Sequence, residues 1–324
     1  MCTAVSFLQG DHYFGRTLDL EYSYHETVTV APRNYPFRFR GGVTLNNHYA
    51  LIGVAHVEEG YPLYYDAANE KGLGMAGLNF PVSTRYGKPV SGKDNIAPFE
   101  FIPWVLGRCA SLSEARRLLE RVNLTDEAFS EKFPPAPLHW MVADRSGSLV
   151  VECREGEVRL HENPVCVLTN EPPFPVQMWN LSRYMGLSAQ PMVNRMAPEV
   201  DLQTDSRGMG AVGLPGDQSS SSRFVRAAFV RCNSRCGEGE GERFSQFFHI
   251  LGSVTQSRGC NRVEDGKSVI TVYSSCCNTD RGIYCYRTYD GSHTHAVDLH
   301  RENLDGETLS VYPMRQDWEP RVQN

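Results

Sequence analysis

The 324-residue chain lacks the features that mark several classes of protein. Its 32 lysines and arginines are outnumbered by 38 aspartates and glutamates, which gives a net charge of −6, whereas a surface that binds nucleic acid needs a basic excess. No apolar run approaches the length of a transmembrane helix. The first residues contain no basic segment, and their apolar run ends at Gln9-Gly10-Asp11, unlike a secretion signal. We therefore expect a cytoplasmic protein that binds neither nucleic acid nor a membrane.

Motifs for metals and nucleotides are also missing. The ten cysteines are scattered without a CxxC pair, and no His/Cys pair at zinc-ligand spacing follows Cys232-x-x-x-Cys236. Gly72-x-Gly74-x-x-Gly77 matches a dinucleotide-binding pattern literally. It lies inside an apolar run, however, and not at a strand-to-helix turn. The sequence predicts no metal site and no cofactor, and most of the thiols are expected to be buried small side chains in a reducing compartment.

Hydrophobic patterning predicts strands towards both ends of the chain and helices between them, which favours an α+β layered fold. Strands at 3–8 and 13–18 are expected to pair as a hairpin that places the N-terminus on a sheet. Helices are expected at 99–106, after Ser111-x-x-Glu114, at 219–232 and at 243–254. Residues 179–218 predict a short helix followed by a long irregular excursion. Because no repeat or linker interrupts the pattern, residues 1–324 are expected to form one domain.

Cys2 is the first candidate for chemistry. It follows Met1 and precedes the small residue Thr3. An initiator methionine is removed when the next residue is small, so the mature chain is expected to begin with Cys2. A terminal α-amine has a pKa near 8, against about 10.4 for lysine, and can accept the thiol proton near neutral pH. Cys2 would then supply both a nucleophile and its base. On position alone, an incidental early cysteine is the alternative.

Four polar clusters stand within apolar surroundings. Gly15-Arg16-Thr17-Leu18-Asp19 is expected to place Arg16 and Asp19 on the same side of a hairpin strand, or just past its end. Asn79 and Asn170 each end a short apolar run, and Arg223 lies one turn into a predicted helix. Taken singly, a salt bridge, turn-forming asparagines and a surface arginine explain them equally well.

Together with an N-terminal cysteine, these residue types supply the parts of amide hydrolysis. A carboxylate can hold an α-ammonium group, and an arginine can favour thiolate over thiol. Amide groups can form an oxyanion hole, which contributes roughly 10²–10³ in rate per donor.

The motifs resemble those of the choloylglycine hydrolase family, which comprises bile salt hydrolases and penicillin V acylases. They occur in order, from residue 1 to about 290, as Met1-Cys2-Thr3, Gly15-Arg16-Thr17-Leu18-Asp19, residues 74–81, residues 168–172, residues 213–217 with Ser222-Arg223-Phe224, and residues 272–277. The resemblance implies an N-terminal-nucleophile hydrolase, an αββα four-layer sandwich of two antiparallel sheets between helical layers. It also implies a cofactor-free homotetramer in which residues 179–218 embrace a neighbouring subunit.

The resemblance also implies roles for single residues. The implied catalytic residues are Cys2, Arg16, Asp19, Asn79, Asn170 and Arg223. Arg16 would contact the nucleophilic sulfur, and Asp19 would hold the α-amine. Asn79 and Asn170 would bind the oxyanion, and Arg223 would complete the hydrogen-bonded ring around the site.

The substrate is predicted from the branch of the family. Asparagine in Gly77-Leu78-Asn79-Phe80 favours the bile-salt branch, because the acylase branch more often has tyrosine there. Hydrophobic residues that could line a sterol pocket, or could equally be ordinary core, are Leu20, Tyr24, Tyr65, Phe129, Phe133 and Leu138. Glu171 departs from the family pattern, since many bile salt hydrolases have Asn-Pro-Thr after the preceding asparagine. Its negative charge leaves the preference between glycine and taurine conjugates open.

The sequence therefore predicts an enzyme that cleaves the amide bond of glycine- and taurine-conjugated bile salts. Three alternatives stay open: a penicillin V acylase or related N-acyl amide hydrolase, an acyltransferase that re-conjugates bile acids, and a non-catalytic binding protein that keeps the fold.

Overall fold

The structure, a computed structural model, describes residues 1–319 and 322–324. The strands before the first α-helix are β1 (Cys2–Gln9), β2 (Asp11–Leu20), β3 (Thr27–Ala31), β4 (Phe37–Arg38), β5 (Thr44–Leu45), β6 (Leu51–Glu58), β7 (Tyr61–Asn69), β8 (Gly74–Asn79) and β9 (Asp94–Ile96). The later strands are β10 (Val122–Leu124), β11 (Leu138–Asp144), β12 (Gly147–Arg154), β13 (Glu157–Glu162), β14 (Val167–Leu168), β15 (Ile270–Asn278), β16 (Ile283–Thr288), β17 (His295–Asp298) and β18 (Ser310–Pro313). The α-helices are α1 (Phe101–Arg108), α2 (Leu112–Leu119), α3 (Phe174–Ser182), α4 (Ser220–Asn233) and α5 (Glu240–Gly252).

Two antiparallel sheets stack face to face. The six-stranded sheet has the order β14-β1-β2-β15-β16-β17, and the eight-stranded sheet has the order β13-β12-β11-β8-β7-β6-β3-β18. Strands β1 and β2 contact β7 and β8 across the gap between the sheets. Helices α4 and α5 pack on the six-stranded sheet, and α1 and α2 pack on the eight-stranded sheet. The predicted αββα sandwich is therefore confirmed.

The eight-stranded sheet is buried on both faces. In β11, Met141 and Ala143 belong to the core between the sheets, while Trp140 and Val142 belong to the core under α1 and α2. Alternate residues of a strand point to opposite faces. Sheets covered on both sides read as continuous apolar runs, which explains why the sequence indicates strands here without a clear polar face.

Several local predictions differ from the structure. The Oγ of Ser111 accepts a hydrogen bond from Glu114 N at 3.3 Å and caps α2 as predicted, but the Glu114 carboxylate accepts from Ala110 N, so the capping box is not reciprocal. Strand β7 was not predicted from the sequence, because Pro62 and Asp66 interrupt its apolar pattern. After α3, residues 183–219 contain only the short 3₁₀ helix Met209–Ala211, in agreement with the predicted excursion.

Two irregularities in the ladders lie close to Cys2. Between β6 and β7 the register passes from Val54↔Asp66 to Ala55↔Tyr64, which makes Tyr65 an extra residue. Between β15 and β2 it passes from Thr271↔Asp19 to Tyr273↔Leu18, so β15 also carries one extra residue there. Such β-bulges re-aim side chains and are frequent beside active sites.

Candidate active site

Cys2 is the first residue of β1, and its side chain belongs to the core between the two sheets. Its strand pairs with β2 so that Cys2 lies opposite Leu18 and Ala4 lies opposite Arg16. Directly opposed residues share a face of the sheet, so Cys2 and Arg16 both face the eight-stranded sheet. Cys2 is 3% exposed, and its backbone nitrogen donates to Oδ1 of Asn170 at 2.9 Å.

Arg223 reaches this site from α4. The Oγ of Ser219 caps the helix by accepting from Ser222 N, which fixes the first turn and the arginine in it. The Nη1 atom of Arg223 lies 2.7 Å from the carbonyl oxygen of Cys2 and 2.7 Å from Oγ1 of Thr3. Burial lowers the pKa of Arg223, an effect that Asp19 and Cys2 oppose. Because arginine stays protonated in proteins, a buried cation holds the start of β1.

Asn170 connects three parts of the site. Its Oδ1 accepts from Cys2 N and, at 2.8 Å, from Nη2 of Arg223. Its Nδ2 donates to the carbonyl oxygen of Asn79 at 2.7 Å, and its backbone nitrogen donates to Oγ of Ser220 at 2.8 Å. A side-chain amide carries two N–H groups, so the second Nδ2 hydrogen is available to a substrate oxygen.

Asn79 is the last residue of β8 and has an exposed side chain. It lies opposite Leu138, the first residue of β11. The structure thus brings Cys2, Asn79, Asn170 and Arg223 together. It buries the Asn170 side chain and leaves that of Asn79 open to solvent.

Arg16 and Asp19 lie on opposite faces of β2, so the prediction that they share a side is wrong. Positions three apart in a strand alternate. Nη1 of Arg16 donates to the carbonyl oxygens of Tyr65 and Gly77 in the eight-stranded sheet, whereas the carboxylate of Asp19 accepts from Oγ1 of Thr17 at 3.1 Å. Burial raises the pKa of Asp19, while Arg223 and the terminal ammonium oppose that rise.

The carboxylate of Asp19 has a second donor, Oγ1 of Thr271, at 2.7 Å. Sequence reasoning missed this threonine, and it also missed Asp66, a fully buried carboxylate on β7. A signal for Asp66 was present in the sequence, since one acidic residue stands inside the apolar segment Tyr64-Tyr65-Asp66-Ala67-Ala68. Nothing comparable marks Thr271.

Met1 extends the β1–β2 ladder by one rung. Its ammonium nitrogen donates to the carbonyl oxygen of Asp19, and the nitrogen of Asp19 donates to the carbonyl oxygen of Met1 at 2.9 Å. In this form the nitrogen of Cys2 is an amide and cannot serve as a base.

Glu171 is tied to the loop that follows Asn79. Its Oε1 accepts from Val82 N at 2.9 Å and from Ser83 N at 2.8 Å, and its Oε2 accepts from Oγ of Ser83 at 2.7 Å. The Glu171 carboxylate is therefore directed at donors of the loop that follows Asn79. The residue that departs from the family pattern acts here as a clamp between the Asn170 turn and the Asn79 loop.

The proposed pocket residues do not form one group: Leu20 and Tyr65 pack against the core between the sheets, and Leu138 packs against the core under α1 and α2. Leu20 ends β2, Tyr65 lies in β7 and Leu138 begins β11. Tyr24 is 38% exposed and its ring packs against Tyr22. The rings of Phe129 and Phe133 lie 6.2 Å apart in edge contact.

Two cavities are lined by other residues. One of about 250 Å³ is lined in part by Glu26 and Val272, and one of about 590 Å³ is lined in part by Arg33 and Lys71. Neither is lined by Cys2 or by the six pocket residues, so the sterol pocket remains a prediction.

Within residues 1–319 and 322–324, no group of three or more His, Cys, Asp and Glu side chains could hold a metal ion. In the same part of the chain, no helix has the length and apolar character needed to cross a membrane.

Known proteins resemble the whole chain. Residues 2–312 match the linear amide C–N hydrolases of the choloylglycine hydrolase family. The chain is 50% identical over 317 residues to the bile salt hydrolase/transferase of Lactiplantibacillus plantarum, with 98% of each chain covered. It is 38% identical to the bile salt hydrolase/transferase of Clostridium perfringens, with 96% of each covered. The crystal structure of a mutant conjugated bile acid hydrolase from Clostridium perfringens superimposes with a TM-score of 0.93 at 36% identity, over 100% of both chains. The chain therefore belongs to the choloylglycine hydrolase family of linear amide C–N hydrolases.

Proposed function

We propose that this protein hydrolyses the amide bond of glycine- and taurine-conjugated bile salts to free bile acid and amino acid. The observation that carries the proposal is the convergence of Cys2 N and Arg223 on Oδ1 of Asn170, in a chain half identical to a bile salt hydrolase/transferase. The sequence prediction and the family membership agree on this reaction class.

The chemistry begins once Met1 is removed and Cys2 N becomes an α-amine. The amine takes the thiol proton, and the thiolate forms a C–S bond with the amide carbonyl carbon while the carbonyl electron pair moves to oxygen. The second N–H of Asn170 and the side chain of Asn79 stabilise that oxyanion. The C–N bond then breaks, and the ammonium returns its proton to the leaving amine. Water, deprotonated by the same amine, hydrolyses the thioester.

The surrounding residues hold this geometry. Arg223 fixes the carbonyl oxygen of Cys2, and its charge, with that of Arg16, favours the thiolate. Asp19 supplies a buried carboxylate held by two threonines, whose charge favours an ammonium at the chain start. These assignments follow the family resemblance. The contacts of Arg223 with Cys2 and Asn170 support its role, whereas Arg16 and Asp19 make no hydrogen bond to Cys2 among the described residues and are assigned an effect through charge.

Acyl transfer is a second candidate activity. Both relatives described above carry the name bile salt hydrolase/transferase. An amino acid that attacks the thioester in place of water would give a re-conjugated bile acid through the same intermediate.

We also propose that the chain acts as a single-domain homotetramer in the cytoplasm. Residues 179–218, which comprise the end of α3 and the excursion after it, expose several large apolar side chains, including Trp179 at 65%, Met185 at 84% and Met196 at 84%. If these side chains form one continuous patch in the assembled protein, that patch would be an interaction surface. All ten cysteines are free thiols, as expected in a reducing compartment. Light scattering coupled to size-exclusion chromatography measures the assembly.

The testing experiment compares amine release from glycocholate, taurocholate and penicillin V by wild-type protein and by Cys2→Ala, with intact mass reporting whether Met1 is gone. We expect release from the bile salts, little from penicillin V and none from Cys2→Ala at unchanged melting temperature. Dominant cleavage of penicillin V would move the protein to the acylase branch. Retained Met1 with no activity would support a binding protein, and full activity of Cys2→Ala would overturn the mechanism.

A further inference from the structure

A buried polar cluster lies in the gap between the sheets, on the face that carries Cys2. We call it the Asp66 cluster; its members are Arg16, Asp66, Tyr273, Ser275 and Tyr284, none more than 1% exposed. Oδ1 of Asp66 accepts from the hydroxyl of Tyr273 at 2.6 Å. Oδ2 accepts from Oγ of Ser275 at 3.1 Å and from the hydroxyl of Tyr284. Oγ of Ser275 in turn accepts from Arg16 N at 3.1 Å, which connects the carboxylate to β2.

The two β-bulges build this cluster. In β15, Thr271 and Tyr273 would share a face in a regular strand, but the extra residue between them sends Thr271 to Asp19 and Tyr273 to Asp66. In β7, the extra residue Tyr65 turns its carbonyl oxygen towards Nη1 of Arg16, at 3.0 Å. A Cβ at Gly53 would lie 2.0 Å from the carbonyl oxygen of Asp66, so glycine is needed in β6 beside the bulge of β7.

Arg16 needs a counter-charge. It is completely buried, and among the described residues no carboxylate lies within 4 Å of it. Its Nη1 and Nε atoms donate only to backbone carbonyls, and its Nη2 has no hydrogen-bond partner. A buried charge without compensation costs several kcal/mol. Burial opposes the charged form, yet Cys2, Tyr273, Asp66 and Asp19 together raise the pKa of Arg16.

We propose that Asp66 is a positioning residue, whose carboxylate partly neutralises Arg16 across the gap and so sets how strongly Arg16 favours the thiolate of Cys2. This inference rests on the proposed function, in which Cys2 is the nucleophile. Asp66 itself touches no reacting atom. It acts through Arg16, whose backbone it holds by way of Ser275.

The charges around the cluster give the direction of the effect. The charges of Cys2, Tyr273 and Asp66 act on Arg16, as does that of Asp19 from the other face of β2. Around Asp66 lie Arg16, Tyr273, Tyr284 and Ser275, and Arg223 contacts the backbone of Cys2. Burial raises the pKa of Asp66, while Arg16 and the hydroxyl donors oppose the rise. Removing the carboxylate leaves Arg16 less compensated, so the thiolate of Cys2 should form at lower pH.

The test measures the pH dependence of Cys2 alkylation by iodoacetamide, read on the N-terminal peptide by mass spectrometry. Asp66→Asn should lower the midpoint by at least about half a pH unit, since removing a nearby like charge favours the thiolate. The acid limb of kcat/KM on glycocholate should move by the same amount. Asp66→Ser, which removes the same charge and leaves room for water between the hydroxyls, is the second variant. The exposed Cys232 and Cys260 are internal standards in every sample.

Glu100→Gln is the matched control, because Glu100 is equally buried but accepts from Arg40 N and Ala97 N, away from Arg16. In Glu100→Gln, the pH midpoint of Cys2 alkylation should equal that of the wild-type protein. Folded Asp66 variants with an unchanged midpoint would overturn the inference and make Asp66 a structural acceptor for two tyrosines. A shifted midpoint in a protein inactive on bile salts would uphold the inference and refute the substrate. Failure of Cys2 to react in protein without Met1 would refute the nucleophile, and both proposals with it.

Discussion

Arg223 and Cys2 donate to the same atom, Oδ1 of Asn170, over distances of 2.8 and 2.9 Å. Two donors on one side of an amide fix which end is oxygen, an assignment that otherwise depends on the network. One hydrogen of Nδ2 therefore binds the carbonyl oxygen of Asn79, and the other is available to the substrate oxygen. The contact that holds the nucleophile's nitrogen also orients the oxyanion donor.

Loss of the Asn170 side chain should lower kcat more than loss of the Asn79 side chain. Asn170→Ala removes an oxyanion donor together with the acceptor of Cys2 N, so we expect kcat on glycocholate to fall by more than about 10³. Asn79→Ala removes one exposed side chain, and a loss of about 10² in kcat is expected for a single donor. Steady-state kinetics of both variants on glycocholate measure the difference. Equal losses would show that Asn170 acts only as a donor.

Catalysis should require the branched guanidinium group of Arg223, and not only its positive charge. Arg223→Lys keeps a cation but cannot reach Cys2, Thr3 and Asn170 at once, and we expect kcat to fall by about 10² or more. Arg226→Lys is the control, because Arg226 lies on the same helix and donates to the carbonyl oxygens of Ser253 and Pro215.

The control variant should lose melting temperature while keeping its activity per folded molecule. Comparable losses of activity in Arg223→Lys and Arg226→Lys would mean that the site requires an intact helix α4, and not the guanidinium group of Arg223 in particular.

Glu171 should affect the loop more than the choice of conjugate. Glu171→Gln keeps an acceptor for Val82 N and Ser83 N, so the ratio of kcat/KM for glycocholate and taurocholate should change by less than about threefold. Glu171→Ala frees the loop, and kcat/KM should fall by about tenfold for both substrates, the equivalent of one lost hydrogen bond to a charged group. A tenfold change of the ratio in Glu171→Gln would show that this charge reaches the substrate tail.

His12 should make stability depend on pH, independently of catalysis. Its ring lies 2.9 Å from Oγ of Ser6 and 2.7 Å from Oγ1 of Thr279, and burial lowers the pKa of His12 from 6.5 to about 4, although Asp280 and Asp144 oppose the shift. The unfolded chain binds the proton first, so this contribution is complete above pH 6.5 and is lost as the pH falls towards 4. The loss amounts to about 3 kcal/mol.

Urea unfolding between pH 4 and 7 measures this dependence. His12→Gln, which keeps two polar partners but does not titrate, should flatten the curve. His249→Gln changes an exposed histidine of α5 and should leave the slope as in wild type. A slope that survives in His12→Gln would assign the acid sensitivity to other groups.

Local sequence patterns predicted most of the fold because alternation and caps are local signals. The β1–β2 hairpin, helices α1, α2 and α4, and the irregular segment after α3 all lie where the patterns place them. Strand β7 was missed, because its Pro62 and Asp66 have a meaning only in the assembled sandwich. An acidic residue in an apolar run looks like the end of a strand in the sequence. Its hydrogen-bond partners, Tyr273 and Tyr284, lie more than 200 residues away and meet Asp66 only in the folded protein.

The structure brings together four of the six catalytic residues that the resemblance implied, and their catalytic roles stay predictions. Cys2, Asn170 and Arg223 meet as the family resemblance implied, and Asn79 joins them through its backbone. The prediction that Arg16 and Asp19 share a side is wrong, because residues three apart in a pleated strand point to opposite faces. The bulges at 65 and 272, which decide where Tyr65 and Thr271 point, follow from pairing between distant strands and leave no local trace.

The rung that Met1 forms with Asp19 sets an order of events in biosynthesis. A peptidase that excises an initiator methionine needs a free, extended terminus, whereas here that residue is paired through both its nitrogen and its carbonyl oxygen. We therefore expect excision to be faster on the nascent chain, before the first hairpin closes. When folding is faster than excision, folded protein would retain Met1, and the nitrogen of Cys2 would stay an amide. Rapid overproduction would then lower the specific activity of the protein without lowering its yield.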